Sequence, residues 1–330
     1  MENFLEIALK EFGEKKVAVI GDVMLDRTER GKISHRVNPE DPKVPILNAS
    51  EKFYLGGAAN VAMNIISLGS NCDLYGVIGN DLYGFQLKKL CVEGKINIEN
   101  LLEENFPTIL KSRTFVKGNY VHRSDLGEDK LEKINGSIER DILNKLKKNI
   151  DFYNGIILSD YDKRIFTKEF TQEIIYMSNE LGVPIFVDPK PQNIDFFKGC
   201  KIICQNKKEA EKITGIKYSK DHKILQDMGI CLSKKINSGQ VIITCGKDGA
   251  YIYYNGNSKM ISTDSKKVVE VTGAGDTFIS TLSLGIISGL DIYEAAKLAN
   301  YASGIVVGKA GTVTTNIEEI LEKINKKFYK

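Results

Sequence analysis

Gly155-Ile-Ile-Leu158, the helix-like segment Thr167–Leu181 and Pro184-Ile-Phe-Val187 follow one another within a single stretch. A short apolar strand, a helix and a second apolar strand in that order form a βαβ unit, whose strands lie parallel under a right-handed crossover. The same rhythm continues outward. Downstream come Lys201–Cys204, helix-like Lys207–Thr214 and Val241–Thr244; upstream come Lys16–Ile20, Ala58–Leu68, Cys72–Ile78 and Leu82–Val92. Such alternation predicts a mostly parallel sheet covered on both faces, a doubly wound α/β sandwich, and 330 residues fit either one large α/β domain or two domains of about 150 residues.

Two stretches break the rhythm. Thr28–Ser50 holds charged residues and three prolines, Pro39, Pro42 and Pro45, while Ile109–Arg123 alternates polar and apolar residues. Both read as antiparallel strands outside the main sheet, either a small flap or lid beside the core or a pair of edge hairpins.

Composition narrows the class. With 330 residues, 42% hydrophobic and 27% charged, the chain can bury a full core and is not disordered. Lys plus Arg number 46 against 43 for Asp plus Glu, and a net +3 is no footprint of a nucleic-acid binder. The N-terminus lacks a secretory pattern, and Phe278–Leu290 is too short and too interrupted to span a bilayer. Cys200 and Cys204 have no second pair at zinc-site spacing, and the other cysteines and the histidines are scattered. The expectation is a cytoplasmic protein with reduced thiols and neither nucleic acid nor membrane as partner.

In the last third, Phe278–Gly289 and Tyr293–Val307 are rich in Ala, Gly and Ser, so these helices can pack closely. Glu270-Val-Thr-Gly-Ala-Gly-Asp-Thr-Phe278 leads into the first of them. Gly273 and Gly275 allow a tight turn, and successive N–H groups at a helix start make an anion site. A carboxylate beside such a site, Asp276, is electrostatically costly. It reads in two ways. Asp276 is a general base for an attacking hydroxyl while the amides hold a moving phosphoryl group, or it is an acid satisfying free N–H groups in the first turn. Other nucleotide loops fail: Phe278 stands where a dinucleotide fingerprint needs Gly, and Gly246-Lys247 and Gly308-Lys309 lack the following Ser or Thr of a Walker loop.

Thr272-Gly-Ala-Gly-Asp-Thr277 resembles the C-terminal signature of the ribokinase-like (PfkB) carbohydrate kinases, and Gly56-Gly-Ala-Ala-Asn60 with Val61-Ala62 resembles the N-terminal one. Gly21-Asp22 with Asp26, Asn206-x-x-Glu209 and Thr244-x-Gly-x-x-Gly249 fit the same family in the same order. The resemblance implies one domain over residues 1–330, a ribokinase-like three-layer sandwich with a mostly parallel central sheet and a small β lid often used for dimerisation. The implied reaction is transfer of the ATP γ-phosphoryl group to a sugar hydroxyl with Mg²⁺. It implies Asp276 as catalytic base and Gly273, Ala274 and Gly275 as anion hole. Asp26, Gly56, Gly57 and Asn60 would bind sugar. Asn206 and Glu209 would lie near the phosphates, with Glu209 reaching Mg²⁺ through water, and Thr244, Gly246, Gly249 and Lys190 would serve ATP. Asn206 and Glu209 equally fit an N-cap followed by a helix-surface acid.

A narrower resemblance joins Gly21–Asp26, Arg36-x-x-Pro-Glu40, Gly56–Asn64, Ser159-Asp-Tyr161 with Lys163, Asp188-Pro-Lys190 and Val306-Val-Gly-Lys309. It is to the bacterial heptose 7-phosphate kinases, and the end at Lys330 is similar to their stand-alone type. It implies phosphorylation of the anomeric hydroxyl of D-glycero-β-D-manno-heptose 7-phosphate to the 1,7-bisphosphate, a step towards ADP-heptose for lipopolysaccharide. A phosphorylated substrate needs cations at the far end of the sugar. Arg36, Lys111, Arg113 and Arg123 lie in or beside the lid segments, either as that grip or as solvated surface. Glu270 replaces the family's Asp where, with Thr272, it would help hold a monovalent cation such as K⁺. Arg164 stands where the family has Gly, and Cys204-Gln205 and Lys207-Lys208 flank Asn206. The rival readings are a related kinase for fructose, ribose, a phosphohexose or a nucleoside, and a catalytically silent sugar-phosphate-binding regulator.

Overall fold

Successive residues of the central strands point to opposite faces, and both faces are covered. In β1 (Lys16–Gly21), Val17 and Val19 pack into one apolar cluster while Ala18 and Ile20 pack into another. The computed structural model describes residues 2–34, 36, 38–41, 47–128, 136–163, 165–263 and 271–328. Pro42, Pro45, Arg164 and Glu270, each singled out in the sequence, lie outside them.

After β1 the strands are β2 (Val23–Ile33), β3 (Leu47–Gly57), β4 (Asn71–Gly79), β5 (Leu101–Glu104), β6 (Leu110–Val116) and β7 (Asn119–Leu126). Then come β8 (Gly155–Ser159), β9 (Ile185–Asp188), β10 (Ile202–Asn206), β11 (Gln240–Thr244), β12 (Ala250–Tyr254) and β13 (Asn257–Ile261). The main sheet has nine strands in the order β13-β12-β11-β10-β9-β8-β1-β4-β5. It is parallel from β11 to β5, with β12 and β13 added antiparallel at one edge.

One face carries α1 (Glu2–Glu11), α2 (Ala58–Ser67), α3 (Leu82–Glu93), α8 (Ala274–Ile287), α9 (Ile292–Val306) and α10 (Ile317–Phe328). The other carries α4 (Gly136–Asn149), α5 (Lys168–Glu180), α6 (Lys207–Thr214) and α7 (His222–Ile236). The expected three-layer α/β sandwich is therefore present. Among the described residues no helix is long and apolar enough to cross a membrane.

The two irregular stretches join in one second sheet of four strands, order β3-β2-β6-β7. It is not wholly antiparallel, as expected from the sequence: β2 and β6 run parallel from Leu25–Leu110 to Gly31–Val116. The chain crosses the main sheet through β4 and β5 before β6 returns to β2, and a long crossover of this kind can bring strands together in the same direction.

The small residues of the last third have a visible use. α8 is buried along Asp276–Gly285. It is stitched to α2 by hydrogen bonds from Thr277 Oγ1 to Asn64 Oδ1 at 2.7 Å and from Ser280 Oγ to the Val61 carbonyl at 3.2 Å. A Cβ on Gly285 would stand 3.1 Å from that of Ala295 in α9, so bulkier side chains would push these helices apart.

Candidate active site

The parallel strands β8, β9, β10 and β11 end on one rim, where ligands of open α/β sheets bind. Residues at or just after their ends, Tyr161, Asp188, Lys190, Asn206, Glu209 and Thr244, line a cavity of about 330 Å³. Asp26 and Met24 of β2, Lys111 and Arg113 of β6 and Arg123 of β7 close it from the second sheet. Gly57, Thr272, Gly273, Gly275 and Asp276 complete it where two helices begin.

Both helix starts need glycine. Gly57, ahead of α2, has φ +57°, and a Cβ there would stand 2.3 Å from the Asp22 carbonyl oxygen. Gly273, ahead of α8, has φ +81°, and a Cβ there would lie 3.1 Å from Asn60 Nδ2. Left-handed backbone at both points lets the chain turn sharply and aim two helix N-termini, with their partial positive charge, at one place. Of the three amides expected to hold an anion, the N–H of Ala274 bonds the Val271 carbonyl at 3.3 Å. Gly275 has open space on its Cβ side and lines the cavity.

Asp276 is only 7% exposed. Its Oδ2 accepts a hydrogen bond from Asn60 Nδ2 at 2.6 Å and its Oδ1 accepts one from the Tyr161 hydroxyl at 2.5 Å. Burial pushes its pKa up to about 6; the Tyr161 and Asn60 bonds and Lys190 oppose the rise, and the nearby Asp26 adds to it. A carboxylate in that range is a far better proton acceptor than an exposed aspartate and is still largely ionised at neutral pH. Both oxygens of Asp276 bond side chains, Asn60 and Tyr161, at the edge of the cavity.

On the wall made by the second sheet every expected cation except Arg36 is present, and each is paired. Arg113 donates to Asp26 Oδ1 at 2.8 Å, and Arg123 bonds Asp125 through two nitrogens at 2.8 and 2.7 Å. Lys111 lies 3.2 Å from Glu128, whose other oxygen accepts from Lys163 at 2.7 Å. Arg36 is elsewhere, lining a shallow depression with Arg30, Lys32 and Asn48 beyond the end of β2. Gly56 packs behind the wall: a Cβ on it would meet Asp26 Oδ2 at 3.1 Å.

On the rim at the ends of β9 and β10, Asn206 caps α6 and Glu209 reaches back to the Asn206 N–H, so the N-cap alternative is realised. Glu209 still lines the cavity and accepts from Lys190 Nζ at 2.7 Å. Burial works against the Lys190 ammonium, yet Asp188 and Glu209 hold its pKa above the usual range. Burial also raises the Asp188 pKa, with Glu209 and Asp276 adding to the rise and Lys190 opposing it. Among the described residues no three His, Cys, Asp or Glu side chains gather as a metal cage. Mg²⁺ does not need one, because it is commonly held by one or two carboxylates, water and substrate phosphates. Oxygen donors on this rim fit that habit.

A second cavity of about 160 Å³ adjoins the first and shares Thr244, Gly275 and Phe278 with it. Gly246, Gly249, Thr263, Val271, Ala274 and Asn300 are among its walls. Gly249 has φ +102°, and a Cβ on it would stand 1.9 Å from the Ile261 carbonyl oxygen, so the loop after β11 takes this path only with glycine. The start of α8 thus lies between two spaces.

The structure gathers Asp26, Gly57, Lys111, Arg113, Arg123, Lys190, Asn206, Glu209, Thr244, Thr272, Gly273, Gly275 and Asp276 around the larger cavity, and Gly246, Gly249 and Ala274 around the smaller. Asn60 stands behind Asp276. Tyr161, Asp188 and Thr312 were not read as site residues, although Tyr161 and Asp188 lie inside quoted motifs.

A buried carboxylate at a glycine-built helix start, set between two adjoining cavities, suits a phosphotransferase with an alcohol acceptor. The pattern described as pfkB family carbohydrate kinase matches residues 14–319, and the chain belongs to that family of ATP-dependent sugar kinases. It is 38% identical over 315 residues to the bifunctional protein HldE of Sulfurimonas denitrificans, covering 95% of this chain and 65% of that protein. The HldE of Aliarcobacter butzleri is 36% identical over 307 residues, covering 93% and 63%. The chain thus spans a little under two thirds of these curated relatives. In fold it is similar to Escherichia coli phosphofructokinase-2 in complex with potassium (TM-score 0.77, 16% identity, 96% and 99% of the two chains). Arabidopsis thaliana ribokinase complexed with ribose and ATP is similar too (TM-score 0.73, 17% identity, 94% and 98%).

Proposed function

We propose that the protein transfers the γ-phosphoryl group of ATP to the anomeric hydroxyl of D-glycero-β-D-manno-heptose 7-phosphate, giving the 1,7-bisphosphate. The observation that carries this reading is the sugar-side wall, where Lys111, Arg113 and Arg123 line the same cavity as Asp276. Each has a carboxylate partner, yet three cationic heads on one wall suit a phosphate at the end remote from the reacting hydroxyl better than they suit a neutral sugar. Support also comes from the HldE relatives and from the heptose-kinase motifs at Ser159–Tyr161 and Asp188–Lys190, which lie on the rim.

In this mechanism the sugar occupies the larger cavity with its anomeric hydroxyl at Asp276. The carboxylate takes the hydroxyl proton as the oxygen attacks the γ-phosphorus, the bond to the β-phosphate oxygen breaks, and ADP departs through the smaller cavity. The amides at the start of α8 and the Lys190 ammonium face the charge on the transferring group. Glu209 would hold Mg²⁺ through water, with Asn206 beside it. The ion supplies charge neutralisation on the nucleotide phosphates. Closure by the second sheet would exclude water and limit wasteful hydrolysis of ATP. β3 is exposed along Asn48–Lys52 and β7 along nearly all its length, and we extend the reading to a cytoplasmic homodimer joined there, feeding ADP-heptose synthesis.

Incubation with ATP, Mg²⁺ and the heptose 7-phosphate, followed by mass spectrometry, tests the reading. A product heavier by one phosphate and lacking a reducing end supports it. ADP production only with fructose, ribose, a phosphohexose or a nucleoside would replace the substrate, and no ADP with any acceptor would favour the silent regulator.

A further inference from the structure

The base does not stand free, because each of its oxygens already accepts one hydrogen bond. Asn60 holds Oδ2; Tyr161 holds Oδ1. A carboxylate on a single bond can still pivot, since the torsion that turns it is broad and shallow. Two donors on its two oxygens fix its plane. Each oxygen of an ionised carboxylate has about two acceptor directions, so one on each remains for a substrate hydroxyl.

The backbone that presents Tyr161 is itself anchored. Asp22 accepts the N–H groups of Tyr161, Lys163 and Ile165 at 2.8, 3.0 and 3.3 Å. Asp160 accepts those of Asp162 and Lys190 at 2.7 and 2.9 Å. The Lys190 ammonium lies 5.3 Å from the centre of the Tyr161 ring, so the side chain also touches the phosphate-side cation. A tyrosine that only filled space would need neither a hydroxyl aimed at the base nor a backbone fixed by two buried acids.

We propose that Tyr161 is a positioning residue for phosphoryl transfer, its hydroxyl fixing the orientation in which the Asp276 carboxylate meets the sugar hydroxyl. This rests on the reading of Asp276 as the base. Tyr161 also lines the cavity, but its hydroxyl bonds the base, so its loss is expected to slow the chemical step far more than it weakens binding.

The experiment compares wild type, Tyr161→Phe, Asp276→Asn and the double variant, using ATP and whichever sugar or sugar phosphate the wild type turns over. Tyr161→Phe is expected to lower kcat about 10- to 100-fold, as misplacement of a reacting group does, with KM for both substrates within about twofold. The double variant is expected to be no slower than Asp276→Asn alone, because a clamp without its carboxylate has nothing to hold. Unchanged kcat in Tyr161→Phe overturns the proposal, as does an equal further loss on the Asp276→Asn background. Loss of ATP binding by Tyr161→Phe in calorimetry also overturns it, assigning the tyrosine to the fold. Near-normal turnover by Asp276→Asn would instead remove the base reading itself.

Discussion

Asn60, near the start of α2, and Asp276, near the start of α8, are 216 residues apart in sequence and joined by a 2.6 Å hydrogen bond. The two segments quoted as the family's signatures are one structure. The bond needs α2 and α8 in close contact, which the small residues of both helices permit, and a glycine at 273, where a Cβ would stand 3.1 Å from the Asn60 amide nitrogen.

Activity should depend on pH through this pair. Asp276 works when ionised, and burial raises its pKa to about 6. The value of kcat/KM is therefore expected to climb with pH through about 6 and level off near neutrality, since that ratio reports the free enzyme. A pH–rate profile from about pH 5 to about pH 8 checks it. A limb near pH 4 would mean that the base is not buried.

Stability should move the other way. Asp22, pushed up to about 7 mainly by burial with Asp160 adding to it, keeps its proton longer in the folded protein than in the unfolded chain, as do Asp188 and Asp276. The folded state then binds more protons between about pH 4 and about pH 8, so stability falls as pH rises through that window. Asp125, held low by Arg123, works in the opposite sense only at more acidic pH. Thermal melts are expected to give a lower Tm at pH 8 than at pH 5.5, and a higher one would contradict the protonation pattern.

Lys111 offers the clearest probe of the proposed phosphate at the far end of the sugar. Removing it leaves Glu128 still paired to Lys163, whereas removing Arg113 would strand the buried Asp26. Lys111→Ala is expected to raise KM for the phosphosugar about 10- to 100-fold, the range for a lost bond to a charged group, while KM for ATP stays put. Steady-state kinetics with both substrates varied read this directly.

Gly57→Ala should damage fold and site together. The substitution combines φ +57° with a Cβ 2.3 Å from the Asp22 carbonyl oxygen. Strain of this kind costs about 1–3 kcal/mol from the backbone alone, and the clash adds to it. Urea unfolding is expected to show at least that loss.

The parallel core was legible because strands buried on both faces are continuous apolar runs, and Lys207–Thr214 forms α6 with the bounds read from the sequence. The β12–β13 hairpin was missed although Asn255 and Gly256, with φ +46° and +86°, are its turn signal. The parallel pairing of β2 and β6 was not legible, since local alternation does not say which neighbour a strand will meet. In the site, Asp276 and its glycines announced themselves within one loop. Tyr161, Asp188 and Thr312 did not, because their places depend on loops from separate elements converging. The ion pairs of Lys111, Arg113 and Arg123 were hidden for the same reason.

The central claim is that the Asp276 carboxylate activates a sugar hydroxyl. Turnover of Asp276→Asn with ATP and the wild type's best acceptor, measured beside calorimetric binding of both substrates, tests it most directly. The expected result is a fall in kcat of at least about 10²- to 10⁴-fold, the usual worth of a general base, with both substrates still bound. Turnover within a few-fold of wild type would contradict it.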